Sequence, residues 1–394
     1  MNTKRNIRLM YIIALLQGMV FYAPVATLYR QAQGVSLFEI TLIESVSLFF
    51  MIALEIPWGM VTDHIGYKKT LVICHSIYFI SKLVFWKASG FAWFLCERLL
   101  LSVVLSGLSG CDTAYLFVLG KGQNNHKLFG RYSAMSAAGI LFASAVFSLL
   151  IKDDYSLGGF LTAVSYGVSM LLSLLLQDIR PEEAPRAGFL KRVWETAAAL
   201  KQQGGFLLFL FAATLLMQTN QTITVFFSQP QYVRAGIPPK TMGYLHILVT
   251  IAGLFAAKTE TLTRRVGESA AVKLLFVSAG SACAVGALTK TPLMAIASIL
   301  LIRLCSSMFE PIHMARQNLQ VSTSNRATML SVYSSIMNIG AIFTNLLFGR
   351  ASEIHIGYAF ALGTVFCFLG LMLYAVWEKR AGISRLPEYS NSGP

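Results

Sequence analysis

The chain has 394 residues, of which 55% are hydrophobic and 13% charged, with a mean hydropathy of +0.62. Soluble domains carry roughly a quarter charged residues, so this composition excludes a water-soluble enzyme or nucleic-acid-binding domain. The formal charge of +14 sits in short loops between apolar runs, as membrane-protein loops do, rather than forming a nucleic-acid surface. Cys74, Cys96, Cys111, Cys283, Cys305 and Cys367 all lie in apolar stretches, and none forms a CxxC pair. They read as small buried hydrophobes, with no disulfide framework and no metal site. The first apolar run is too long for a signal-peptide core and should remain as the first span.

A bilayer core of about 30 Å needs about 20 apolar helical residues. Twelve such segments follow in chain order, at about 8–32, 37–62, 67–88, 90–119, 129–152, 157–177, 205–233, 238–263, 268–289, 291–318, 326–350 and 355–377. His246 and Lys258 interrupt the eighth. The longest polar stretch, residues 178–204, separates the sixth from the seventh, and Gly188 to Leu200 within it could form an amphipathic surface helix. The expected fold class is therefore an all-α integral membrane protein. It divides into an N-terminal six-helix bundle (1–177), a cytoplasmic linker (178–204), a C-terminal six-helix bundle (205–377) and a polar cytoplasmic tail (378–394).

With the N-terminus inside, about 22 of the Lys and Arg residues fall on the cytoplasmic side, and only Arg98 and Arg303 are counted within spans. Both termini are expected to be cytoplasmic, in the inner cell membrane. A weak repeat supports two related halves: "GRYSAMS" around Arg131 and "NRATMLS" around Arg326 follow spans four and ten.

The loop between spans two and three reads "EIPWGMVTDHIGYKK" and contains Glu55, Gly59, Asp63, Gly66, Lys68 and Lys69. Physically, Gly59 would let two helix ends approach, and Asp63 could accept hydrogen bonds at a helix end. Gly66 would turn the chain, and Lys68 and Lys69 would anchor to anionic headgroups. The segment resembles the G-x-x-x-D-x-x-G-[RK]-x-[RK] signature of the major facilitator superfamily, with Tyr67 in place of the usual arginine. Its leading Glu55 and Pro57 resemble a bacterial branch reading E-I-P-x-G there. The resemblance implies two pseudo-symmetric bundles, with this loop latching the halves in the outward-facing state. The equivalent second-half loop, "KTETLTRRVGESAAVK", keeps Gly267 but has Arg264 where an aspartate is expected. Span five lacks the glycine run of the drug–proton antiporter signature.

Ionisable groups inside a span are costly and mark function. Glu44, Glu55, Asp112 and Glu310 are the acids so placed, and Arg98 and Arg303 the bases. Glu44, Glu55, Gly59 and Asp63 fall near one helical face. On a straight helix Arg98 and Asp112 would share a face about 21 Å apart. Arg98 resembles the span-four arginine that the family associates with proton coupling, although Ser102 stands where a glycine should follow. Arg303 and Glu310, seven residues apart, could neutralise each other or a substrate group. Protonating Glu310 would then require their separation, a candidate coupling step. Pro311 invites a kink.

Spans one, four, seven and ten line the central cavity by resemblance. This makes Gln17 and Tyr22 of span one, and Gln218, Asn220 and Gln221 of span seven, further cavity candidates. The 27 Phe and 15 Met residues could supply an adaptable apolar pocket. No Walker A, GxSxG or HExxH pattern is present. The expectation is a non-enzymatic, cofactor-free monomer working by alternating access, with a small-molecule substrate, protons and the lipid bilayer as its partners and no nucleic acid. Proton-coupled export of an amphipathic compound is the first reading. Proton-coupled uptake of a small metabolite is the second, and a non-transporting membrane sensor the third.

Overall fold

The computed structural model describes residues 3–120, 125–179, 204–321 and 326–381, with the side chains at 56, 63, 125–126 and 326–328 outside that description. Among the described residues, twelve helices are long and apolar enough to cross a bilayer. They are α1 (Thr3–Ala32), α2 (Leu37–Ile65), α3 (Tyr67–Lys87), α4 (Gly90–Leu119), α5 (Lys127–Ile151), α6 (Tyr155–Leu174), α7 (Gly205–Arg234), α8 (Pro239–Val266), α9 (Glu268–Leu288), α10 (Pro292–Leu319), α11 (Arg326–Ile354) and α12 (Ile356–Ala381). Hydrocarbon offers no partner for a bare N–H or C=O, so sequences this apolar span it as helices. Leu150 and Leu288 stay 73% and 84% exposed, as a lipid-facing surface requires. The segment at 188–200 and the tail beyond 381 lie outside the described residues.

An even number of spans places both chain ends at one end of the bundle, here called the terminal end; the opposite one is the far end. The connections repeat between halves. Gly34 (φ +83°) closes the α1–α2 turn, and Gly236 (φ +82°), 202 positions later, closes α7–α8. The matching backbone bonds run from Val35 N–H to the Arg30 carbonyl and from Ile237 N–H to the Tyr232 carbonyl. Gly66 (φ +86°) and Gly267 (φ +81°), 201 positions apart, join α2 to α3 and α8 to α9. Their N–H groups donate back to the carbonyls of Thr62 and Thr263. Positive φ is cheap only for glycine, so these four residues fix two pairs of equivalent corners.

Several spans are interrupted. In α1, Pro24 sits in a 3-10 turn (Ala23–Val25). α4 breaks between Leu108 and Cys111 at Gly110, with φ +81°. α7 widens to a π-helical turn over Thr222–Phe227. α8, interrupted in sequence by His246 and Lys258, still crosses as a helical span, tightened to 3-10 at Leu254–Lys258. α10 runs on through Pro311. The break in α4 corrects the straight-helix expectation: Arg98 and Asp112 lie on separate helical segments, so their spacing does not set a shared face.

The halves meet along α2–α11 and α5–α8. Burial is uneven along the bundle. One apolar core joins far-end residues of the first half, among them Phe21, Val25, Ile40, Phe85 and Phe147, to the second half. The terminal-end residues of the first half, including Ile13, Leu71, Tyr115 and Leu128, form a separate core. The apolar core thus joins the two halves at the far end, while toward the terminal end the first half keeps a core of its own.

Candidate functional site

Between the halves lies a cavity of about 520 Å³. Its first-half wall includes Tyr22, Arg30, Lys82, Glu97, Arg98 and Ile140. Its second-half wall includes Gln221, Thr224, Phe226, Gln229, Tyr232, His246 and Arg303. One turn nearer the terminal end on α4 and α5, a second concavity of about 430 Å³ is lined by Gln17, Tyr78, Leu105, Asp112, Tyr132 and Ser136.

The first-half wall is a network of charges. Glu97 is 0% exposed, and its two oxygens face different cations. Lys82 Nζ lies 3.6 Å from Oε1, and Arg30 Nη2 lies 3.8 Å from Oε2. Neither oxygen accepts a hydrogen bond, so this carboxylate is held by charge alone. Aromatic faces support the cations. Lys82 Nζ sits 5.2–5.6 Å from the ring centres of Tyr22, Tyr78 and Tyr166, and donates to the Tyr22 hydroxyl at 2.9 Å. The Arg30 guanidinium lies over Phe85 and Phe94. Arg98 forms an ion pair with Glu44 of α2.

Seams close the cavity at the far end. Gln229 Oε1 of α7 accepts from Thr27 N–H (2.8 Å) and Leu28 N–H (3.3 Å) of α1, while its amide donates to the Ala23 carbonyl (3.3 Å). The breaks around Pro24 free these backbone groups to be clasped. Ser144 of α5 and His246 of α8 share a hydrogen bond of 2.8 Å. Ser45 Oγ of α2 donates to the Ile342 carbonyl of α11 at 3.2 Å. A Cβ at Gly243 would collide with the Ser144 carbonyl, and one at Gly349 with Thr41.

A sequence model of the Major Facilitator Superfamily matches residues 9–288, more than half of the chain. The chain belongs to the Major Facilitator Superfamily. It is a multi-pass membrane transporter rather than an enzyme. No match is found among curated proteins compared by sequence. Solved structures are similar in fold. The nucleoside transporter NupG superposes with a TM-score of 0.79 at 16% identity, covering 98% of this chain and 100% of that one. A peptide transporter POT in complex with alafosfalin gives 0.75 at 14% identity, covering 96% and 95%. An inward-facing, unoccupied bacterial homologue of the human lysosomal transporter Spinster gives 0.71 at 16%, covering 98% and 99%.

Of the residues singled out in the sequence, Tyr22, Arg98, Gln221 and Arg303 line the main cavity. Glu44 supports it through Arg98. Gln17 and Asp112 line the second concavity, where Asp112 accepts from the Tyr132 hydroxyl at 3.1 Å. Asn220 is buried, and Gln218 and Asn220 do not line the main cavity. Arg303 and Glu310 are not an ion pair: no contact within 4.0 Å joins them. Seven residues of helix rise is about 10.5 Å, and Arg303 is turned to the cavity while Glu310 does not line it. The close-approach reading of Gly59 also fails in this state, because a Cβ there meets nothing within 4 Å. Glu55 accepts from Ser331 of α11 at 3.3 Å, Gly66 makes the expected turn, and Lys68 and Lys69 open α3. The Asp63 side chain lies outside the described residues.

Arg30, Lys82 and Glu97 were missed by the sequence reading. Each falls inside one of the twelve apolar runs, which is the signal that could have found them. The lining mixes apolar side chains, among them Leu101, Ile140, Val225, Phe226 and Met242, with the charged and amide groups.

Proposed function

We propose that the chain is a proton-coupled secondary transporter that moves a small polar solute through this cavity by alternating access. It works as an uptake symporter in the cell membrane, with both termini cytoplasmic. The observation that carries this reading is the lining: both halves contribute charged and amide groups to one cavity. An amphipathic drug-like cargo fits less well, because an apolar surface laid on these groups would strip their water without replacing it.

Glu97 is the proposed proton site. Protonating it leaves Arg30 and Lys82 without their shared acid, while the Glu44–Arg98 pair is untouched. That change in buried charge would bias the two halves between their arrangements. A driving force of about 150 mV supplies about 3.5 kcal/mol per charge, enough for a roughly 300-fold gradient. The loop from Glu55 to Lys69 is proposed to latch the terminal end in the opposite state, which would give Gly59 a close neighbour that it lacks here.

The test is uptake into proteoliposomes under an imposed pH gradient, across nucleosides, peptides, sugars, organic acids and cationic dyes. Acid-driven accumulation of a polar solute supports the reading. Efflux of dyes with no polar uptake contradicts it.

A further inference from the structure

We infer that the occupant of the cavity is a small organic anion, held between Arg98 of the first half and Arg303 of the second. This deepens the transport reading above and rests on it.

Charge counting points there first. Four cations line the cavity, Arg30, Lys82, Arg98 and Arg303, against one acid, Glu97. Glu44 adds a second acid behind Arg98. Among the described residues the site therefore holds an excess of two positive charges, offset in part by Glu310, which acts on Arg303 from beyond 4.0 Å. A cavity of this size suits a small molecule, and a cationic solute would be repelled from it.

The excess is not spread evenly. Both acids belong to the first half, and both are engaged by first-half cations. Among the described residues Arg303 has no carboxylate within 4.0 Å, and its Nε is buried without a hydrogen-bond partner. Its seat is specific. A Cβ at Gly253 of α8 would come within 2.6 Å of Nη2, so the missing side chain there makes room for the guanidinium. The second half thus presents a positioned cation whose opposing charge, Glu310, stands outside the cavity, across from a first half that is itself net positive.

An anion resolves this. With the terminal end open, water screens the two walls from each other. When that end closes, water leaves, and like charges facing across a low dielectric repel strongly. An acidic group between Arg98 and Arg303 turns the repulsion into two charge-assisted bonds. The carrier protonated at Glu97 but lacking its anion bears the greatest repulsion and closes least readily, which would limit proton leak, while the deprotonated empty carrier can still return. Carboxylates and phosphates share the required chemistry.

The test is thermal stabilisation of the purified full chain in detergent at constant ionic strength. The panel is succinate and glutarate, inorganic phosphate and glycerol phosphate, ethidium as a cation, and glucose and uridine as neutral solutes. We expect saturable stabilisation by the carboxylates or by the phosphates, the responding pair naming the acid group, and none by ethidium. Arg303→Gln should weaken that response by about 30-fold or more, with Arg303→Lys keeping part of it. Gly253→Val, which displaces the guanidinium without removing it, should do the same and serves if Arg303→Gln does not fold. Stabilisation by neutral or cationic members alone overturns the anion, as does an anion response unchanged in Arg303→Gln or Gly253→Val. The parent reading fails differently: anion binding with no flux in proteoliposomes sinks transport, whereas flux of a neutral solute sinks only the anion.

Discussion

Gly34 and Gly66 in the first half, and Gly236 and Gly267 in the second, close the same corners with the same backbone geometry, yet the walls they position differ in chemistry. Counting 202 positions forward, Glu97 and Arg98 fall on Ile299 and Leu300, while Leu101 falls on Arg303. The first half carries a buried network of three cations and two acids. The second carries one lone cation among amides and hydroxyls. A shared scaffold has been given two tasks. In the proposed cycle the first half handles the proton at Glu97, and Arg303 of the second half joins Arg98 in recognising what enters.

The largest effect that would test this division is at Glu97. Glu97→Gln removes the acid shared by two buried cations, and breaking such a pair costs about 3–5 kcal/mol. We expect a large fall in detergent melting temperature together with loss of acid-driven uptake. A variant as stable as wild type would show that the network is already solvated and remove its proposed role.

Backbone packing gives the next comparison. Gly139 of α5 and Gly340 of α11 are 201 positions apart. A Cβ at Gly139 would strike the Leu15 carbonyl, whereas one at Gly340 would meet only the Thr214 methyl at 2.9 Å. Gly139→Ala should therefore cost about 1–3 kcal/mol and Gly340→Ala clearly less, as read by thermal unfolding. Equal losses would show that the halves pack alike at this crossing.

The far-end seam should respond more mildly. Gln229→Ala removes the clasp on α1, at about 1 kcal/mol per hydrogen bond. The population open at the far end should rise roughly tenfold or more, read as faster labelling, from the far-end side, of Gln221→Cys in a chain lacking Cys96. Unchanged labelling would move the gate to the α5–α8 and α2–α11 seams. The smallest effect is expected at Glu310. It neither lines the cavity nor pairs with Arg303, so Glu310→Gln should keep the pH dependence of uptake. Loss of that dependence would restore it as the coupling acid.

The spans were legible because the run lengths match the bilayer, and the motif from Glu55 to Lys69 marked the family. Glu44 and Arg98 were each visible as charges in apolar runs, but their pairing depends on how α2 crosses α4, which a linear pattern does not carry. Arg30, Lys82 and Glu97 lie near span ends, where long charged side chains ordinarily reach the interface. Here the aromatic rings and one another hold them inside. The break at Gly110 was hidden in a small-residue stretch that reads as close packing. The arginines at 131 and 326 carry only a weak trace of the repeat. The clearer signal was the pairs of turn glycines, which mean little until their φ angles are known.

The central claim is that one cavity faces the two sides of the membrane in turn. Gln221 is exposed on its wall, so a cysteine there, in a chain lacking Cys96, reports access directly. In sealed vesicles of known orientation, an impermeant thiol reagent should label Gln221→Cys from the side bearing the chain termini at rest. Under a pH gradient with transported solute, labelling should appear from the opposite side while falling on the first. Simultaneous labelling from both sides, or labelling that the gradient never redistributes, would contradict alternating access.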